Sequence, residues 1–365
     1  MLKALLGNKR GAVKLRIIEL LLEYEEGLTA REIAEHLGKD LRKYSYLFRH
    51  LGALREAGLV LKRGRRYVLK DRQRVARLLD PPKLKLYWAG HDPAPKILAE
   101  VFGKAPLLLS AGTYWLSNKF SLDRALRDAR VALELFLDSG AQQFYRKFRG
   151  RDYPYSERRY LDFALKLGAD LVATLDLPLD ILVPDGRITV REGIERTVYH
   201  GVELLDLAED IEVDGLKIVP VLQGFNSPEQ WLECLDLYRD HGIDSDIWGV
   251  GSLCMARSRR LIYSVLASLR RALGSDRRLH VFGLSLNALR DVYMLINSFD
   301  TAVWIYWAKM DGAVLVWDPV ELSFVHLQAR DGKRYDTRRL LRINALQLYA
   351  MLETLNSLLE RTDRQ

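Results

Sequence analysis

Six apolar runs, each meeting a polar or glycine corner and separated by stretches of helical periodicity, constrain this chain more than any other feature. They are Val131 to Leu137, followed by Asp138-Ser139-Gly140; Leu171 to Asp176; Ile218 to Gln223-Gly224; Ile247 to Leu253, which carries Gly251 and Ser252; Leu279 to Leu284; and Phe299 to Ile305, with Asp300 near its start. Amphipathic stretches lie between them, such as Ser156 to Leu167, Pro228 to His241, Arg257 to Leu273 and Ala288 to Ile296. Strands alternating with helices build parallel β/α units, and in a closed barrel the C-terminal strand ends share one mouth. The expected fold class is therefore α/β, a (β/α)8 TIM barrel over residues 81 to 365.

Charge separates the first 80 residues from the rest. They hold 19 Lys and Arg against 10 Asp and Glu, while the other 285 residues are nearly balanced, with 37 basic and 38 acidic. Val13 to Glu25 reads as a helix ended by Gly27. Thr29-Ala-Arg-Glu32 reads as a capping box that starts a short helix to Leu37, and a third helix spans Asp40 to Ala57. Leu59 to Lys62 and Arg66 to Leu69 read as a hairpin around Lys62-Arg63-Gly64-Arg65. Three helices and a basic hairpin make an N-terminal winged helix-turn-helix, a fold in which the third helix enters the major groove and the wing touches the backbone. Arg42, Lys43, Arg49 and His50 fall on the exposed face of that helix, and Lys62, Arg63, Arg65 and Arg66 on the wing, which makes nucleic acid the expected partner. Such modules also dimerise, so a homodimer is compatible with the same residues. Asp71 to Pro82 reads as the connection, because Pro81-Pro82 cannot continue a helix.

The order Asp-Ser-Gly, strand-Asp, Leu-Gln-Gly, Val-Gly-Ser-Leu, His-Val-Phe-Gly-Leu and Ser-Phe-Asp, running over residues 105 to 310, resembles the tRNA-guanine transglycosylase superfamily of base-exchange enzymes. Within it the resemblance is nearest to the deoxypurine-in-DNA protein A (DpdA-like) branch. The resemblance implies a nucleic-acid guanine transglycosylase that exchanges guanine for a 7-deazaguanine base, in DNA more than in tRNA, through an aspartyl covalent intermediate. It places the nucleophile at Asp300 and the general acid/base at Asp138. Ser139, Asp176, Gln223, Gly251 and Ser252 become the base-binding residues. Breaking an N-glycosidic bond with retention needs such a pair of carboxyl groups, one to attack C1′ and one to pass a proton to the leaving base. The residues alone leave Asp291 and Asp311 as rivals to Asp300, and Asp180 as a rival to Asp176.

Departures from the family pattern are equally specific. Asp311 to Arg342 holds no cysteine, so the family's zinc site is not expected, and no metal or cofactor is implied. Ala141 and Gln142 stand where the family has a glycine and a stacking aromatic, leaving Phe144, Tyr145 or Phe282 to stack on the base. Tyr114, Trp115, Trp304 and Trp307 are candidates for the mouth or for the core. Cys234 and Cys254 read as small buried residues. No apolar run is long enough to span a membrane, and a cytoplasmic location is the default expectation. Two other readings remain at this point: a tRNA-guanine transglycosylase-like enzyme acting on RNA, and a DNA-binding regulator with a non-catalytic barrel.

Overall fold

The structure, a computed structural model, describes residues 11–38, 44–70, 83–147, 152–211, 215–256, 258–328 and 336–362. The chain divides into two compact units, one of Met1–Lys83 with Asn356–Gln365 and one of Leu84–Leu355. The proposed connection from Asp71 to Pro82 lies outside the described residues, as do Arg42 and Lys43.

The N-terminal unit has helices at Gly11–Glu23, Ala30–His36 and Tyr44–Glu56 and a three-stranded antiparallel sheet of Leu28–Thr29, Arg66–Leu69 and Val60–Arg63. The Thr29 capping box is formed: Glu32 N–H donates to Thr29 Oγ1 at 3.2 Å, and Thr29 N–H donates to the Glu32 carboxylate at 2.6 Å. Ile17, Ile18, Leu21, Ile33, Leu51 and Leu54 form the core that the helical spacing implied. One basic position differs from the sequence reading. His50 is turned into the core, with 3% exposure. Arg66 is exposed and donates to the Gly27 carbonyl at 2.6 Å, tying the central strand of the sheet to the turn before the second helix. Arg49, Lys62, Arg63 and Arg65 are exposed.

The larger unit is a closed (β/α)8 barrel. Its staves are β1 (Lys85–Ala89), β2 (Ala105–Ser110), β3 (Ala132–Asp138), β4 (Leu171–Ala173), β5 (Lys217–Val219 and Val221–Leu222, either side of Pro220), β6 (Ile247–Val250), β7 (Arg278–Val281) and β8 (Ser298–Thr301). Nine hydrogen-bonded segments run parallel around the ring, and the two beside Pro220 are halves of one stave. The last stave returns to the first, with Asp300 opposite Tyr87. Pro220 has no N–H to give. Its carbonyl accepts from Gly249 at 2.8 Å, and the Val221 N–H turns to the Thr174 hydroxyl at 3.0 Å, so pairing continues on both sides.

Alternate side chains of each stave point inward. Tyr87, Leu108, Phe136, Ala173, Val219, Val221 and Ile247 fill the interior, which is packed rather than open. Deleting the fully buried Phe136 ring would cost about 3–5 kcal/mol. The outer helices follow the expected amphipathic logic: Glu157–Leu167 buries Tyr160, Leu161, Phe163 and Leu167, then stops at Gly168 in the left-handed conformation. The final helix, Thr337–Thr362, joins the barrel unit through Asn344. That side chain accepts from Leu315 N–H at 2.8 Å and donates to the Trp304 carbonyl at 3.1 Å.

Three boundaries depart from the sequence reading. β1 and β2 are staves that the six runs did not include. The stave carrying Asp300 ends at Thr301, and Val303–Met310 is a helix, so Asp300 sits at the C-terminal end of its strand rather than its start. The helix read at Ala288 to Ile296 runs instead over Leu286–Val292. Among the described residues no helix is long and apolar enough to cross a membrane.

Candidate active site

The C-terminal ends of the staves open into a cavity of about 660 Å³, within the range of small-molecule sites. Asp138 ends β3, Asp176 and Gln223 follow β4 and β5, Gly251 and Ser252 follow β6, and Asp300 comes from β8; all six line the cavity. The rivals Asp291 and Asp311 do not line it. Asp291 is held by Arg259 at 2.7 Å. Asp180 does line it, beside Asp176.

Asp176 is the hub of a buried polar network. Its Oδ1 accepts from Ser139 Oγ at 2.7 Å, and its Oδ2 accepts from the Gln223 amide. The Gln223 carbonyl oxygen in turn accepts from Ser252 Oγ. Ser252 has φ +56°, a left-handed backbone that a glycine would enter freely and a serine enters at a cost. That turn places its hydroxyl to accept from Leu179 N–H at 2.9 Å as well. Gly251 is required by close approach, because a Cβ there would overlap the Gln223 amide. Ser139 itself is fully buried and does not line the cavity; it reaches the site through Asp176.

Three tyrosines behind the wall hold this network from its main chain. Tyr153 OH donates to the Asp176 carbonyl at 2.7 Å, Tyr155 OH to the Ser139 carbonyl at 2.5 Å, and Tyr160 OH to the Leu137 carbonyl at 3.2 Å. None carries a motif, and the sequence reading does not single them out. Cys254 was expected in the core but lines the cavity, its thiol donating to Asp180 at 3.1 Å and accepting from Gln142 at 2.5 Å. Phe144 and Tyr145 are core residues, whereas Phe282 faces the cavity. Tyr114, Trp115, Trp304 and Trp307 are absent from the lining, and the exposed aromatic at the mouth is Tyr306.

Taking carboxylates out of water favours their neutral form, and neighbouring carboxylates add to the effect. Burial, reinforced by Asp176 and then Asp300, pushes Asp138 up to about 7, against the pull of the Gly140 N–H and the Ser110 hydroxyl. Burial also pushes Asp176 up to about 6, opposed by the Ser139 and Gln223 hydrogen bonds. A carboxyl group poised near neutrality can give a proton and take one back at the same pH. Asp300 Oδ1 accepts from Gly283 N–H at 2.9 Å, which fixes the carboxylate at the mouth end of its stave. Among the described residues no group of three or more His, Cys, Asp or Glu is arranged to hold a metal ion.

Residues 172–319 match the DpdA family model, described as DeoxyPurine in DNA protein A. That segment runs from β4 past β8 and contains Asp176, Gln223, Gly251, Ser252 and Asp300. Over that segment the chain is similar to DpdA. No curated protein matches the chain.

Proposed function

We propose that this DpdA-like chain is a DNA guanine transglycosylase, a pentosyltransferase that replaces guanine with a 7-deazaguanine base through a covalent aspartyl intermediate. The observation that carries the reading is the convergence of Asp138, Asp176, Gln223 and Asp300 on one cavity at the mouth of a closed barrel. In the first half-reaction Asp300 attacks C1′, the C1′–N9 electron pair leaves with guanine, and Asp138 supplies the proton that guanine takes up. In the second, N9 of the incoming base gives its proton to Asp138 and attacks C1′, and Asp300 departs as a carboxylate. Two displacements retain configuration, and atoms and charges balance across the cycle. Asp176 and Gln223 supply an acceptor and an amide, the pair needed to read the N1–H, amino group and carbonyl of a guanine-like ring. Ser139 acts by holding Asp176, and Gly251 and Ser252 let the ring approach the chain.

The N-terminal unit is read as a winged helix-turn-helix that brings duplex DNA to the protein. Its helix and strand order supports that assignment, as does a surface that exposes Arg49, Lys62, Arg63 and Arg65. The target nucleotide must leave the stack to reach the cavity. The test is direct: incubate the full chain with duplex DNA or with tRNA and a labelled guanine or 7-deazaguanine base, and ask which polymer gains label. Label in DNA that requires Asp300 supports the proposal. Label confined to tRNA transfers the activity to RNA, and label in neither leaves a DNA-binding protein with an inert barrel.

A further inference from the structure

An imidazole lies inside the barrel, packed among aromatic rings and beside the inward-facing Ser298 of the next stave. His280, on β7, has 0% exposure. Its ring sits 5.5 Å from Tyr87, 4.8 Å from Phe136 and 4.5 Å from Phe282, the first and last edge-on. Ser298 and Asp300 are two apart on β8 and so project to the same inward face, where they bracket this ring. Nδ1 is 3.0 Å from Ser298 Oγ, and Nε2 is 3.4 Å from Asp300 Oδ1. Nε2 makes no hydrogen bond among the described residues, its approach to Oδ1 falling short of hydrogen-bond geometry. A buried ring nitrogen left without a partner beside a carboxylate calls for an explanation. Contacts of this kind also tend to be long in the free protein and to shorten along the reaction.

We propose that His280 is a positioning residue that makes Asp300 a good leaving group, a role that rests on the reading of Asp300 as the nucleophile. The Ser298 hydroxyl donates to Nδ1 and fixes the Nε2–H tautomer. Nε2–H and Gly283 N–H then both point at Oδ1, which leaves Oδ2 to attack C1′. In the covalent intermediate Oδ1 is an ester carbonyl with little charge, and in the free enzyme it is half of a carboxylate. Donors on Oδ1 therefore favour the free carboxylate over the ester, and they speed the second displacement, in which the charge returns. His280 keeps its proton throughout.

The consequence is a signature that loss of packing would not give. Removing the Nε2 donor should make the adduct accumulate while turnover falls. The experiment mixes the full chain with labelled DNA and an exchangeable base, quenches in acid, and measures both the exchange rate and the fraction of protein covalently bound to DNA. His280→Leu is expected to raise the bound fraction at least fivefold and to lower exchange about tenfold. His280→Gln, which returns an N–H near the Nε2 position, should restore a low bound fraction. Ser298→Ala releases the tautomer and should move the bound fraction in the same direction as His280→Leu by a smaller factor. It carries the test if the leucine variant does not fold by circular dichroism. A bound fraction at the wild-type level in the folded His280→Leu protein, or in Ser298→Ala where that protein does not fold, overturns the proposal. Asp300→Asn separates the two failures: adduct or exchange surviving in that variant removes the nucleophile assignment and this inference with it, whereas an inert Asp300→Asn beside an unaffected His280→Leu removes this inference alone.

Discussion

The two units handle charge in opposite ways. The N-terminal unit leaves its cations in water: Arg63 and Arg65 stand in the open at the tip of a hairpin. The barrel takes its acids out of water: Asp176 and Asp300 are buried at 8% and 6% exposure, and Asp138 feels the charge of both. An exposed cation keeps its charge and attracts phosphate over the length that salt allows. Burial instead holds Asp138 and Asp176 closer to neutrality, where a carboxyl group can exchange a proton. Binding and chemistry make different demands on solvent, and separate units let each be met.

Four outcomes would sharpen or break that contrast. The largest belongs to the barrel. Asp300→Asn should abolish exchange and leave DNA affinity unchanged, as read by a labelled-base assay beside a binding titration; undiminished turnover would return the nucleophile to another acid. Next in size, Asp138→Asn should slow exchange roughly 10²- to 10⁴-fold and flatten the limb of the pH profile centred near 7, since a proton shuttle is lost while the attacking group stays. A retained limb would assign the proton to a different group.

The N-terminal unit should answer to salt rather than to pH. Changing Lys62, Arg63 and Arg65 together to Ala should lower the log-log salt slope of DNA binding by about 0.9 per lost phosphate contact, or about 2.7 if all three make one. Arg66 is left in place because it holds the Gly27 carbonyl. An unchanged slope would make this unit a dimerisation or protein-docking module. The smallest effect is on stability. The folded state binds more protons than the unfolded chain between pH about 4 and 7, because Asp138 is raised to about 7 on folding. Stability is therefore lost as pH rises through that window. Asp138→Asn removes the loss, so thermal melts should show it gaining on the order of 2–5 °C over wild type at pH 8 and nothing at pH 4. Equal gains at both pH values would mean that Asp138 keeps its charge in the fold.

Much of this arrangement is legible in the sequence because strand ends announce themselves. An apolar run that stops at Asp138, at Gln223-Gly224 or at Gly251-Ser252 tells where a stave ends, and the barrel then brings those ends together without further information. β1 escapes the same reading because it opens with the charged Lys85 close behind a proline pair, and β2 because Pro106 interrupts its apolar pattern. His280 escapes for a different reason. Its role depends on Ser298 and Asp300 reaching it from the next stave, a pairing of register that periodicity along one strand does not contain. His50 and Cys254 exchanged their expected places for the same cause. Burial of a single polar or small residue is decided by what packs across from it.

Pro220 has a consequence for how the molecule behaves in a crowd of its own copies. A sheet laid out flat has two free edges, and each offers a row of unpaired main-chain groups to any neighbouring chain. A ring has none, and this ring is interrupted only where the proline withholds its N–H. On the opposite seam the Thr174 hydroxyl, by accepting from Val221, extends the attachment of the fifth stave to the fourth beyond their main-chain ladder. Replacing Thr174 with Val would leave the Val221 N–H without its partner where the fourth and fifth staves part. The damage would then appear less as slower chemistry than as chains that stick to one another.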